Sequence, residues 1–255
     1  MSPPLKIGWN YSITAEDLWK NKGKIGKDSA GNRYFFDVYN GKETYFPVMD
    51  RDTPILGKVL APHHDSYEAI FVSEQSEALN GLLKNIKRNL SYVDKYGNKH
   101  FKQGPAISEA VFKEVANQIP YDLKKSDEIV RKKLSSGSFT ISIGEFIRGH
   151  AGVCRHQAIT CAALLEMLKN DPDFKIQGFP HINRNHVKNL ETGISGGHAW
   201  ARYDSAAKDE SGKNLAYILD VAQQQGVLLL NDPMIQNLIA QKKIWNYNQP
   251  DETFY

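Results

Sequence analysis

The chain has 255 residues, 41% hydrophobic and 24% charged, which is enough to bury the core of one domain, or of one domain and a small lobe, and excludes disorder as its main state. Thirty-two basic against 29 acidic residues give a formal charge of +3. Outside short runs at 84–88 and 131–133 the two signs alternate, as on solvated helix faces and unlike a nucleic-acid footprint. The opening Met1-Ser2-Pro3-Pro4-Leu5-Lys6 has no apolar signal core, and no stretch reaches the roughly 18 consecutive apolar residues of a membrane span. A soluble chain with no membrane partner is expected, cytoplasmic by default, with signal-independent export left open.

In chain order, Gly23, Gly26, Gly31 and Gly41 separate short aromatic runs. Arg33-Tyr34-Phe35-Phe36-Asp37-Val38-Tyr39 reads as a strand, turned at Asn40-Gly41 into Thr44-Tyr45-Phe46. From Ser66 the pattern is helical, running from Ala69-Ile70-Phe71 to Leu79, Leu82, Ile86 and Leu90 and ending near Lys95-Tyr96-Gly97-Asn98. A second helix follows Pro105, with Ser108 as its cap, and stops at Pro120. A polar helix spans 126–134, a short helical turn 143–149, and a nearly all-apolar helix carries Ala158, Ile159, Ala162, Leu165 and Leu168 to its stop at Asp171-Pro172.

Strand-like pieces come next: Phe174-Lys175-Ile176, then His198-Ala199-Trp200-Ala201-Arg202-Tyr203 with period-two alternation, then Ala216-Tyr217-Ile218-Leu219-Asp220-Val221. The charged connection 204–214 suits a hairpin. A last helix is expected over 232–245, capped by Asp232 with Pro233 at its first position. Helices first, then antiparallel strands, make the class α+β. The chain is expected to divide into a β-rich extension, 1–65, and a domain, 66–255.

Three dispersed elements carry the chemistry: Gly152-Val153-Cys154-Arg155-His156, Gly197-His198-Ala199-Trp200 and Ile218-Leu219-Asp220. A thiol nucleophile needs a base beside it, and the base needs a third group to fix its tautomer. Cys154 at a helix start would have its thiol acidified by backbone N–H groups and the helix dipole, with Arg155 adding charge. Gly152 allows close approach of a substrate backbone, and the Cys154 amide is a candidate oxyanion donor. His198 is held on a strand with Trp200 flanking it, and Asp220 closes an apolar run where it needs a partner.

Cys161, mid-helix among Ala and Leu, reads as a core thiol. The two cysteines are seven residues apart, about 10 Å along one helix, too far for a disulfide, whose Cα atoms lie about 4.4–6.8 Å apart. A reducing compartment is the simpler assumption. His63-His64 and the group His150, His156, His181 and His186 lack zinc-motif spacing, and no phosphate-binding glycine motif is present, so no metal and no cofactor is expected.

Ile119-Pro120-Tyr121-Asp122, Phe146-Ile147-Arg148, the 152–158 segment, His198-Ala199-Trp200 and Leu219-Asp220, in this order, resemble the core of the transglutaminase-like superfamily over about residues 105–225. The resemblance implies a papain-like core in which a buried cysteine helix packs on an antiparallel sheet, here with an N-terminal β/helical extension. It implies Cys154 as nucleophile, His198 as general base and acid, and Asp220 as its orienting group. The segment around Pro180-His181-Ile182-Asn183 and His186 departs from the family pattern and is read as shaping the substrate entrance. The expected activity is cysteine-dependent acyl transfer on a carboxamide, a protein glutamine or a peptide bond, giving crosslinking, deamidation or proteolysis. The alternative is a catalytically silent binding or scaffold module of the same fold.

Overall fold

The computed structural model describes residues 25–49, 54–60, 68–174, 176–188 and 195–248. The opening hexapeptide, Gly23, the His63-His64 pair and the expected helix start at Ser66 lie outside them, as does the side chain of His186.

The expected N-terminal hairpin is present. Strands β1 (Ile25–Lys27), β2 (Arg33–Tyr39) and β3 (Lys42–Pro47) form an antiparallel sheet, so that Gly26 is a strand residue paired with Tyr34 and does not turn the chain. The Tyr39↔Lys42 register leaves Asn40-Gly41 as a two-residue loop with both φ values positive, 50° and 75°. That conformation matches the right-handed twist of the flanking strands and favours Asn-Gly.

Residues 69–72 differ from expectation. They are strand β5 (Ala69–Val72), held between β4 (Lys58–Leu60), antiparallel, and β8 (Thr140–Ser142), parallel. A short apolar run that continues into helical periodicity carries no signal separating a central strand from a first helical turn. The helix α1 starts later, over Glu77–Leu90, with the Ser76 hydroxyl accepting from the Leu79 N–H and Leu79, Leu82, Ile86 and Leu90 on its buried face. It also ends earlier than expected. Ser91-Tyr92-Val93 enters a small hairpin, β6 (Ser91–Val93) with β7 (Lys99–Phe101), closed by Asp94 accepting from the N–H groups of Tyr96 and Asn98.

Helix α2 (Pro105–Gln118) is capped by Gly104 at φ +64°, with Pro105 at its first turn. Ser108 is therefore an interior, buried residue and caps nothing. Asp122 caps α3 (Leu123–Ser135), and Ser142 caps α4 (Ile143–Arg148), which continues directly from β8. The cysteine helix α5 (Cys154–Asn170) is buried over every residue from His156 to Leu168.

Of the expected strand Phe174-Lys175-Ile176, Phe174 lies in a turn and Ile176 precedes β9 (Gly178–Lys188), while Lys175 lies outside the described residues. The 180–186 segment, expected at a substrate entrance, is part of that strand and pairs with β10 (Ser195–Lys208) from Gly178↔Ser205 to Lys188↔Ser195. Strand β11 (Asn214–Leu219) returns antiparallel to β10, and β12 (Val227–Leu229) completes the order β12-β11-β10-β9. The last helix, α6 (Pro233–Ala240), keeps its Asp232 cap and first-turn proline but stops five residues short of Trp245.

The architecture is thus α+β, with the buried cysteine helix packed against the antiparallel sheet of β9 and β10 and a β/helical region before it. Ala199, Ala201 and Tyr203 of β10 join α5 in the main core. Trp200 points to the opposite face and packs with Ala216, Ile218, Leu230 and Tyr247. Strand alternation gives β10 a core on each side.

Candidate active site

The first turn of α5 is built without a side-chain cap, because Val153 at the cap position has no acceptor. His156 supplies the reciprocal contact: its Nδ1 accepts from the Val153 N–H at 3.0 Å. The proton of this imidazole is thereby assigned to Nε2, which lies 3.5 Å from Glu68 Oε1. Burial drives its pKa down to about 4 despite Glu68, so His156 is a neutral, structural ring, stacked on Phe146 with centroids 3.7 Å apart. Glu68 also accepts from Arg155 Nε at 2.7 Å. It is 2% exposed, and although burial opposes ionisation, His156 and Arg155 hold its carboxyl down at about 2. The turn that starts at Cys154 is thus held by a neutral ring at His156 and by the Arg155–Glu68 ion pair.

Cys154 is the first residue of α5 and is half-buried. Burial opposes the thiolate, yet hydrogen bonding and charge from His198, the Ala199 backbone and Arg155 together hold the thiol below its ordinary value. His198, on β10, is 5% exposed and donates Nε2–H to Asp220 Oδ2 at 2.6 Å. With Nε2 committed to Asp220, Nδ1 is the nitrogen left for Cys154. Burial disfavours the charged ring, but Asp220 and Cys154 outweigh it and raise its pKa to about 9. The two opposite displacements are mutual, each group favouring the charged form of the other.

Asp220 stands just past β11, at the entry to a 3-10 turn (Val221–Gln223), and is 2% exposed. Antiparallel pairing of β11 with β10, in the register Ala201↔Leu219, delivers it beside the histidine. Its Oδ2 accepts a second hydrogen bond, from the Tyr247 hydroxyl at 2.9 Å. Trp200 flanks the imidazole as the alternation requires, centroids 5.9 Å apart, and Trp245 meets the same ring edge-on at 3.9 Å.

Packing requires glycine at position 152. A Cβ there would lie 2.5 Å from Ile119 Cγ2 and 3.0 Å from His156 Cβ. Its backbone is also paired, bridging Tyr121 and accepting from the Asp122 N–H at 2.9 Å. The missing side chain makes room for packing that seats the Cys154 turn on the 119–122 segment. Tyr121, half-exposed, stands close enough to feel the thiol: desolvation first, then the Cys154 charge, raises its phenol. Gln157 is spent structurally, its Nε2 donating to the Ile119 carbonyl at 2.8 Å.

Cys161 is fully buried and its thiol is pushed far up by desolvation, with the Asp220 charge adding to it. Both cysteines are free. His150, His156 and His181 are scattered, and among the described residues no group of three or more His, Cys, Asp or Glu side chains is placed to hold a metal ion. No described helix is long and apolar enough to cross a membrane.

The structure therefore gathers Cys154, His198, Asp220 and Trp200, and places Gly152 beneath them. It adds Glu68, Trp245 and Tyr247, which sequence reading missed. Glu68 carried a signal, a lone carboxylate heading the apolar run 69–72. Trp245 and Tyr247 carried none beyond being aromatic. Comparison of the chain with protein-family models, with curated proteins and with solved structures finds no match in any of the three.

Proposed function

We propose that this chain is a cysteine acyl-transfer enzyme acting on a carboxamide, a protein glutamine or a peptide bond, as its resemblance to the transglutaminase-like superfamily implies. The observation that carries the reading is the pairing of an acidified Cys154 thiol with a His198 whose other nitrogen is held by Asp220. A thiolate attacks the carbonyl carbon, the π electrons move to oxygen, and the helix-start amide of Cys154 would donate to the oxyanion. As the tetrahedral adduct collapses, the C–N bond breaks and the His198 imidazolium gives its proton to the departing nitrogen, leaving a thioester. Neutral His198 then takes a proton from water or an amine as it attacks the thioester, and the thiolate and imidazolium are restored. Water yields deamidation or proteolysis, and an amine yields a crosslink.

The test is the rate of Cys154 alkylation by iodoacetamide against pH in a Cys161→Ala background, with and without His198→Ala. At about pH 6 an ordinary thiol of pKa about 8.5 is almost wholly protonated. The paired thiol should react on the order of tenfold to a hundredfold faster than such a thiol, and His198→Ala should abolish the advantage. An ordinary profile in both proteins would reject the enzyme and favour a scaffold of the same fold.

A further inference from the structure

We propose that Tyr247 is a positioning residue of this site, its hydroxyl sharing Asp220 Oδ2 with His198 and so setting how much of the carboxylate charge the imidazole meets, so that the segment after α6 completes a four-membered array Cys154, His198, Asp220, Tyr247. This rests on the acyl-transfer reading.

An ionised carboxylate only accepts, so both groups at Asp220 Oδ2 must donate: His198 Nε2–H at 2.6 Å and Tyr247 O–H at 2.9 Å. Oδ1 has no hydrogen-bond partner among the described residues, so both donors converge on one oxygen. Two donors on one oxygen, approaching from different elements, share its charge. Tyr247 is itself rigid. It is 1% exposed, its ring stands edge-on to Trp200 at 5.3 Å, and it packs with Ile218 and Leu230. The same short segment sends Trp245 onto the His198 ring. It thus touches two members of the array from the face opposite α5. Among the described residues, Cys154 and Asp220 are the titratable groups acting on His198, and His198, Tyr247 and Cys161 those coupled to Asp220.

A hydroxyl donating to Asp220 draws off part of the negative charge that His198 faces. Removing it should strengthen the imidazolium, and hence the thiolate. In the full chain carrying Cys161→Ala, Tyr247→Phe should move the acid limb of the alkylation profile down, and the His198 ring-proton titration up, by on the order of half a pH unit each. Replacing tyrosine with 3-fluorotyrosine, a stronger donor of nearly the same shape, should shift both the other way, and this readout stands even if the Phe variant does not fold. In an Asp220→Asn background neither change should move the profile. A parent with fast low-pH labelling whose profile superimposes on those of both tyrosine variants would overturn the role of Tyr247 and leave the Cys154–His198 reading intact. A parent with an ordinary thiol profile would overturn both.

Discussion

Replacing Glu68 with Gln keeps the shape of the side chain beneath the Cys154 turn and removes its charge. The residue is 2% exposed and accepts from Arg155 while facing His156. Its carboxyl is held from an ordinary 4.5 down to about 2, and at 1.36 kcal/mol per pH unit that displacement is worth about 3 kcal/mol of folding stability. Breaking a buried pair by removing one partner costs about 3–5 kcal/mol by a separate line of measurement, so the two estimates agree. The sign follows from the depressed value. The contribution is fully present above the ordinary carboxyl range and is lost as pH falls through about 2. Urea unfolding should therefore show Glu68→Gln about 3 kcal/mol less stable at neutral pH, with the gap shrinking to less than half by about pH 3. A gap below about 1 kcal/mol at neutral pH, or one that does not change with pH, would refute the assignment of a buried, charge-paired Glu68.

Two further outcomes follow from the packing. Gly152→Ala forces a methyl to within 2.5 Å of Ile119, so scanning calorimetry should show a loss of about 1–3 kcal/mol; an unchanged melting temperature would mean the 119–122 segment yields freely. Iodoacetamide on the native protein should modify Cys154 and spare Cys161, which is fully buried with its thiol pushed far up, until urea opens the core; labelling of Cys161 at the native rate of Cys154 would contradict that burial.

The site was legible where one local pattern fixes a side chain. The apolar helix beginning at Cys154, the alternation around His198 and the end of the apolar run at Asp220 each name a residue, and His198 interacts with both of the other two. The Asn40-Gly41 turn was legible for the same reason, since it needs two positive φ values in succession. Local patterns were silent where tertiary partners decide. Ala69-Ile70-Phe71-Val72 is a strand because β4 and β8 lie on either side of it, and Ser108 is interior because Gly104 and Pro105 start that helix earlier. Glu68 reaches Arg155 across 87 residues and Tyr247 reaches Asp220 across 27, distances over which spacing in the sequence conveys nothing.

Where the cysteine helix meets the histidine strand, the shared core is rich in methyl groups: Ala158, Ala162 and Ala163 on one element, Ala199 and Ala201 on the other, all with 3% exposure or less. Helix and strand can approach closely only because these spacers are the smallest that still exclude water. The separation of thiol and imidazole is accordingly set, like the gap of a caliper, by methyl side chains packed between the two elements. A single methylene added on that layer would open the jaws while every reactive side chain stayed in place. The core alanines thus set the spacing of the Cys154–His198 pair independently of the paired side chains themselves.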